Sequence, residues 1–282
     1  MNEIIETLSI YLKLEFVQYA IIVGILIALC SSLIGVILVL KSYSFIGDSL
    51  SHVAFLMTSI AMIIELTNDM YLTLPITILC SLFLFAFNKR KAMSGDAMLA
   101  LIAVSSLAFG YLLMNIFASA SRPNLSADVC ATLFGATSIL TLKQQEVWFC
   151  IGLSIIVVVF FVLFYNRIFC ITFDEDFTKA SGLNANFYNI LISLIIGIII
   201  VVSMKLVGSL LISALIIFPA LISMKVMKSF KSVVICSVIV SIIGVVLGLF
   251  ISIVASTPVG STIVAVDIGV YIIFSIIGAI IR

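Results

Sequence analysis

Charge is scarce in this chain. Asp, Glu, Lys and Arg together supply 10% of its 282 residues, hydrophobic residues 64%, and the mean hydropathy is +1.41. Soluble domains carry about a quarter charged residues, so this balance excludes a soluble fold and points to a polytopic membrane protein. The net charge of +1 and the absence of any basic run longer than Lys89-Arg90-Lys91 argue against a nucleic-acid partner. The six cysteines form no C-x-x-C pair and no zinc-finger spacing, so they read as small apolar residues rather than a disulfide or zinc framework. No G-x-x-x-x-G-K-[ST] loop is present; if nucleotide hydrolysis drives the protein, the ATPase is a separate chain. Nor is there an H-E-x-x-H motif or a serine partnered by a second base, which leaves little room for an intramembrane enzyme.

What remains is a series of apolar runs. A hydrocarbon core of about 30 Å needs roughly 20 apolar residues per helix. Clear spans run from Phe16 to Leu40, Met70 to Phe87, Asp96 to Ala118, Val147 to Tyr165, Phe187 to Met204, Val207 to Met224, Ser232 to Val254 and Gly260 to Ile281. Two more segments are polar-interrupted: Gly47 to Ile64, and Leu125 to Leu142. Such segments often line a pathway rather than face lipid. The reading is an all-α bundle of eight or nine spans in one membrane domain, residues 1–282. Residues 1–15 carry Glu3, Glu6, Lys13 and Glu15 among Ile and Leu, without the basic start of a signal peptide. They are predicted to form an interfacial amphipathic segment. Cytoplasmic loops accumulate Lys and Arg, so Lys41, the 89–91 run, Arg167, Lys225, Lys228, Lys231 and Arg282 mark the inner side. Glu65, Asp69, Arg122 and Ser256 to Pro258 then fall outside, as does Lys205 against the trend.

The single histidine, His52, follows Asp48 by four residues in Gly47-Asp-Ser-Leu-Ser-His-Val-Ala-Phe55. That spacing puts a carboxylate and an imidazole on one helix face, both expensive at membrane depth. Two readings stand: a hydrogen-bonded pair that holds helices together, or a metal-ion site, since neutral imidazole suits zinc, iron and related ions. Gly47 permits close backbone approach or a helix break. Asp96 begins a span after the 89–91 run. It either satisfies a helix N-terminus or stands beside Asp48 to share an ion. Asp128 either caps the next segment or brings a third carboxylate to the same cavity, enough for tetrahedral Zn²⁺ or part of a Mn²⁺ shell. Asp267, alone within the last span, roughly matches Lys205 in depth, and an interhelical ion pair is expected, with a secondary ion contact as the other reading. The loop 166–186 reads as a short cytoplasmic helix, with acids Asp174 and Asp176 at its start and a stop at Gly182. Small residues Ala180, Ser181 and Gly182 there suit docking into a partner's groove; the other reading is a mere surface turn.

Four stretches taken together resemble the membrane permease of bacterial zinc/manganese/iron ABC importers. They are Gly47 to Phe55, the Phe173 to Leu183 loop, Val207-Gly-Ser-Leu-Leu-Ile-Ser-Ala-Leu-Ile-Ile-Phe-Pro-Ala220 and Pro258-Val-Gly-Ser-Thr-Ile-Val264. The likeness covers nearly the whole chain, with the four motifs in the family's order. It implies a fold similar to type II ABC importers and a location in the bacterial cytoplasmic membrane. It also implies three partners: a second copy of the chain, a cytoplasmic ABC ATPase and an extracytoplasmic metal-binding protein. No cofactor is held permanently; Zn²⁺ or Mn²⁺ passes transiently. Carried over residue by residue, the resemblance makes Asp48, His52, Asp96 and Asp128, the last before Leu133-Phe-Gly135, the metal contacts. It makes Asp174, Asp176, Phe177, Ala180, Ser181 and Gly182 the contact with the ATPase. Asp267 has no counterpart in that pattern. The rival from another class is a proton-coupled secondary metal transporter with Asp48 and His52 as its relay, which needs no docking loop.

Overall fold

The computed structural model describes residues 11, 13–87, 95–117, 142 and 144–281. Among these every regular element is helical: α1 (Glu15–Leu40), α2 (Ile46–Ile63), α3 (Met70–Phe87), α4 (Gly95–Ile116), α5 (Gln144–Leu163), α6 (Tyr165–Phe173), α7 (Glu175–Ala180), α8 (Ala185–Val207), α9 (Ser209–Val226), α10 (Phe230–Ala255) and α11 (Val259–Ile281). In lipid a helix satisfies its own backbone polar groups, which is why apolar sequence of this length takes no other form. Eight of the helices are long and apolar enough to cross a bilayer, and α3 is a shorter apolar helix. The all-α, multi-span fold expected from composition is therefore present. Asp128, the 89–91 basic run, the Leu125 to Leu142 segment except Leu142, and most of residues 1–15 lie outside the described residues.

The bundle is built around α1. Every residue from Ser31 to Leu38 is buried, and a helix buried all round is central rather than lipid-facing. Without a hydrophobic driving force between helices in lipid, close backbone approach and interhelical hydrogen bonds must hold them. At Gly35 an added Cβ would strike the carbonyl oxygen of Ile216, so α9 crosses α1 backbone to backbone. On other faces Ser241 of α10 donates to the Ala28 carbonyl at 3.1 Å, and Cys30 donates to Ser154 of α5 at 3.4 Å. The outer face of α10 shows Ile235, Ile239, Ile243, Leu247 and Ile251 at four-residue intervals, a stripe aimed at lipid.

Packing also fixes the directions of the helices. Cys30 meets Ser154, and Leu33 shares a groove with Phe161, so α1 and α5 run parallel toward the basic side. Ser49 donates to the Leu99 carbonyl at 2.7 Å, and Gly110 abuts Phe55, so α2 and α4 also run parallel, away from it. Glu15, the end of α4 and the start of α5 consequently share the outer side, a point the sequence alone leaves open.

Candidate functional site

α1 ends in a tight reversal: the amide of Tyr43 bonds to the Leu38 carbonyl at 2.8 Å, and Ser42 takes a left-handed φ of 59°. α2 begins three residues later at Ile46 and runs unbroken through Asp48 and His52. Gly47 serves close approach rather than a break, since a Cβ there would stand 3.0 Å from Ile216 and 3.5 Å from the Ser213 backbone of α9. α2 is thus pressed against α9 at the level of Asp48. The Asp48 carboxylate lies in the first turn, where the helix dipole favours negative charge.

Asp48 Oδ1 stands 3.4 Å from His52 Nε2, with Asp48 42% exposed and His52 13%. That separation is longer than a good N–H···O hydrogen bond. It does match the edge of a four-coordinate site: bonds of about 2.0–2.2 Å at a tetrahedral angle hold neighbouring donors about 3.3–3.6 Å apart. The two side chains therefore present a nitrogen and an oxygen with a chelating bite. The other ring nitrogen, Nδ1, is buried and has no hydrogen-bond partner among the described residues. Metal-binding imidazoles generally anchor that second nitrogen, so this one needs a partner from elsewhere.

Asp96 occupies the first turn of α4, exposed, one helical turn before Leu99. Because Ser49 clasps Leu99, the carboxylates of Asp48 and Asp96 enter from the same ends of two parallel, packed helices. No group of three or more His, Cys, Asp or Glu side chains converges closely enough to hold a metal among the described residues. The structure thus brings Asp48 and His52 together, places Asp96 at the same end of the bundle, and leaves Asp128 outside its described part.

The polar loop folds into two helices where the sequence suggests one. α6 is an additional nine-residue helix continuing from α5. α7 matches the expected short element. Asp174 caps it by accepting from the Phe177 amide at 2.8 Å, and Lys179 pairs with Glu175 at 2.9 Å and with Asp176 at 3.4 Å. The hydrogen bond with Glu175 holds the Lys179 ammonium above its usual range. Gly182, at φ +83°, closes the helix: its amide bonds to the Lys179 carbonyl and that of Leu183 to the Thr178 carbonyl. Phe177 is 65% exposed, an aromatic ring presented to the inner side on a helical turn hydrogen-bonded at both ends.

Sequence reading missed what this helix is tied to. Asn189, a buried residue of α8, accepts from the Lys41 ammonium at 2.8 Å and donates to Glu175 Oε2 at 3.1 Å. A chain of polar contacts therefore runs from α7 through α8 to the last residue before the α1–α2 reversal. The available signal was an amide side chain at the third position of the apolar run Phe187 to Met204.

One expectation is corrected. Lys205 does not pair with Asp267; it pairs with Asp69 at the start of α3. α8 packs antiparallel on α3, with Gly197 against Ile78 and Ser81 bonded to the Ser193 carbonyl, and this carries Lys205 to Asp69. α11 packs instead on α9 and α10. Asp267 is fully buried against Gly244 of α10, and neither of its oxygens has a hydrogen-bond partner among the described residues.

Comparison with known proteins places these features in a family. The model of the ABC 3 transport family matches residues 13–278. The chain is 27% identical over 259 residues to the manganese import system permease protein ScaB of Streptococcus gordonii, spanning 92% of this chain and 90% of that one. It is 24% identical over 251 residues to the high-affinity zinc uptake system membrane protein ZnuB of Haemophilus influenzae, spanning 89% and 93%. Among solved structures, PsaBC from Streptococcus pneumoniae in complex with Fab superposes with a TM-score of 0.80 at 25% identity, over 96% of this chain and 95% of that one. Residues 13–278 are nearly the whole described membrane bundle, and the chain belongs to the ABC 3 transport family.

Proposed function

We propose that this chain is the permease subunit of an ATP-driven importer of divalent transition metal ions, zinc or manganese, in the bacterial cytoplasmic membrane. The observation that carries the proposal is the Asp48–His52 pair, whose 3.4 Å bite suits a metal ion and whose helix stands in a bundle otherwise almost free of charge. The names of the relatives, manganese import for one and zinc uptake for another, support the choice of cargo. Two donors do not complete a coordination shell. Asp96, Asp128, water and the same residues of a second copy would supply the rest. An incomplete site suits transport, because an ion must bind well enough to shed water and weakly enough to leave.

ATP hydrolysis belongs to a separate cytoplasmic chain in this reading, and α7 is the element that meets it. Asp174, Asp176, Phe177, Ala180, Ser181 and Gly182 form its docking face, a six-residue helix fixed at both ends. Movement of α7 reaches α2 through Glu175, Asn189 and Lys41, so nucleotide-driven motion on the inner side can reset the helix that bears the metal ligands. An extracytoplasmic binding protein delivers the ion from the other side. The capped, exposed α7 favours this ATP-driven reading over a proton-coupled transporter, which has no use for a docking helix.

Reconstitution with the ATPase and the binding protein tests the proposal by ATP-dependent uptake of radioactive Zn²⁺ or Mn²⁺ into vesicles. His52→Ala and Asp48→Asn are each expected to abolish uptake while the complex still assembles. Uptake by both variants at the wild-type rate, or wild-type uptake without ATP, overturns it.

A further inference from the structure

A groove of about 550 Å³ lies between α5 and α10, over α1, and the function proposed above does not use it. Leu33 forms its floor, and Phe161, Val234 and Val238 form its walls, all apolar. The polar members of its lining, Tyr165, Asn166 and Lys231, stand together at one end. That end is the inner, basic side of the membrane. Lys231 makes no hydrogen bond or salt bridge among the described residues, unlike Arg167, which donates to Tyr188, and Lys225, which lies over the Tyr271 ring. Just beyond the polar end, the rings of Tyr165, Phe169 and Phe173 gather on Phe230, with centroids 5.3 to 5.9 Å apart. The groove is therefore closed toward the cytoplasm by α6, the helix that leads into α7, and open sideways to lipid along Ile235 and Ile239, each about half exposed.

An apolar trough of this kind, ending in an uncommitted ammonium, an amide and a phenol at headgroup level, has the chemistry of one ligand class. We propose that the α5–α10 groove binds an anionic glycerophospholipid, with an acyl chain along Leu33 and Val238 and the phosphate held by Lys231 and Asn166. Basic pockets between transmembrane helices on the cytoplasmic side are suited to anionic headgroups. Burial of the acyl chain supplies affinity for any phospholipid, and the Lys231 ammonium supplies the preference for negative charge. The lipid braces α10 against α5 at the point where both meet α6.

Native mass spectrometry of the full-length chain, delipidated in mild detergent, tests this with equal amounts of dioleoylphosphatidylglycerol and dioleoylphosphatidylcholine. The wild type is expected to retain phosphatidylglycerol about fivefold over phosphatidylcholine, the preference one lysine near an anionic headgroup provides. Lys231→Gln brings the ratio close to one, Lys231→Arg keeps it, and Lys228→Gln, in the turn outside the groove, leaves it unchanged. Ile239→Trp fills the open lip and lowers retention of both lipids. Three results overturn the proposal: equal retention of the two lipids by the wild type, an unaltered preference in Lys231→Gln, or a disulfide between two copies carrying Ile239→Cys in native membranes but not between wild-type copies. The last outcome means that a second copy, not lipid, covers the groove.

Discussion

Asn189 carries two of the contacts that join α7 to the α1–α2 reversal, and Asn189→Leu removes both with little change of volume. Two hydrogen bonds are lost, one from the Lys41 ammonium at 2.8 Å and one to the Glu175 carboxylate at 3.1 Å. Bonds to charged groups contribute about 1.5–3 kcal/mol each. Asn189 is only 8% exposed, so water replaces little of this. The two together amount to at least ~3 kcal/mol, which shifts the equilibrium between a tethered and an untethered α7 by more than about a hundredfold. Under the proposed function, the untethered α7 is expected still to dock on the ATPase through its exposed face and to support ATP hydrolysis, without passing the motion on to Asp48 and His52. The assay is the ratio of metal imported to ATP hydrolysed in vesicles holding the whole complex. That ratio is expected to fall about tenfold or more, given a coupling of this size, while ATPase activity persists. Amide exchange across residues 174–182 should accelerate in the same variant. A ratio within twofold of wild type together with unchanged exchange refutes the reasoning.

The Asp69–Lys205 pair fastens the outer ends of α3 and α8, each partner a little over a quarter exposed. A double-mutant cycle of Asp69→Ala and Lys205→Ala, read by thermal melting, is expected to give a coupling of about 1 kcal/mol that shrinks in high salt. Zero coupling at low salt would remove the pair's structural role. Gly182→Val forces a β-branched residue to φ +83°. The strain, about 1–2 kcal/mol, should open the end of α7 and lower the yield of co-purified ATPase, whereas unchanged yield contradicts the docking assignment. Asp267→Asn replaces a buried carboxyl, without a hydrogen-bond partner among the described residues, by a neutral group of the same shape. Burial of an uncompensated charge is costly, so the variant should melt at or above the wild-type temperature, and a clear loss of stability would reveal a cation partner for Asp267.

How much of this was legible in the sequence depends on the distance over which each feature acts. The spans were readable because apolar length decides helix formation within one segment, and Asp48 with His52 because four residues along one helix fix a common face. The α7 helix was readable for the same reason: Asp174, Lys179 and Gly182 form its caps and pairs within nine residues. Lys205 was not, because matching it to Asp267 required only depth, whereas its real partner followed from which helix packs on α8. Depth is a property of one span, but partnership belongs to two. The Ser81–Ser193 bond and the Gly197–Ile78 contact set that choice, and neither residue type marks its partner in advance. The Lys41–Asn189–Glu175 chain was hidden more deeply, since its members lie 148 and 14 residues apart and Lys41 already had an adequate explanation as a cytoplasmic charge. A polar residue that satisfies a simple topological rule can still carry the contact that joins α7 to the α1–α2 reversal, and a buried amide inside an apolar span is where such contacts are to be sought.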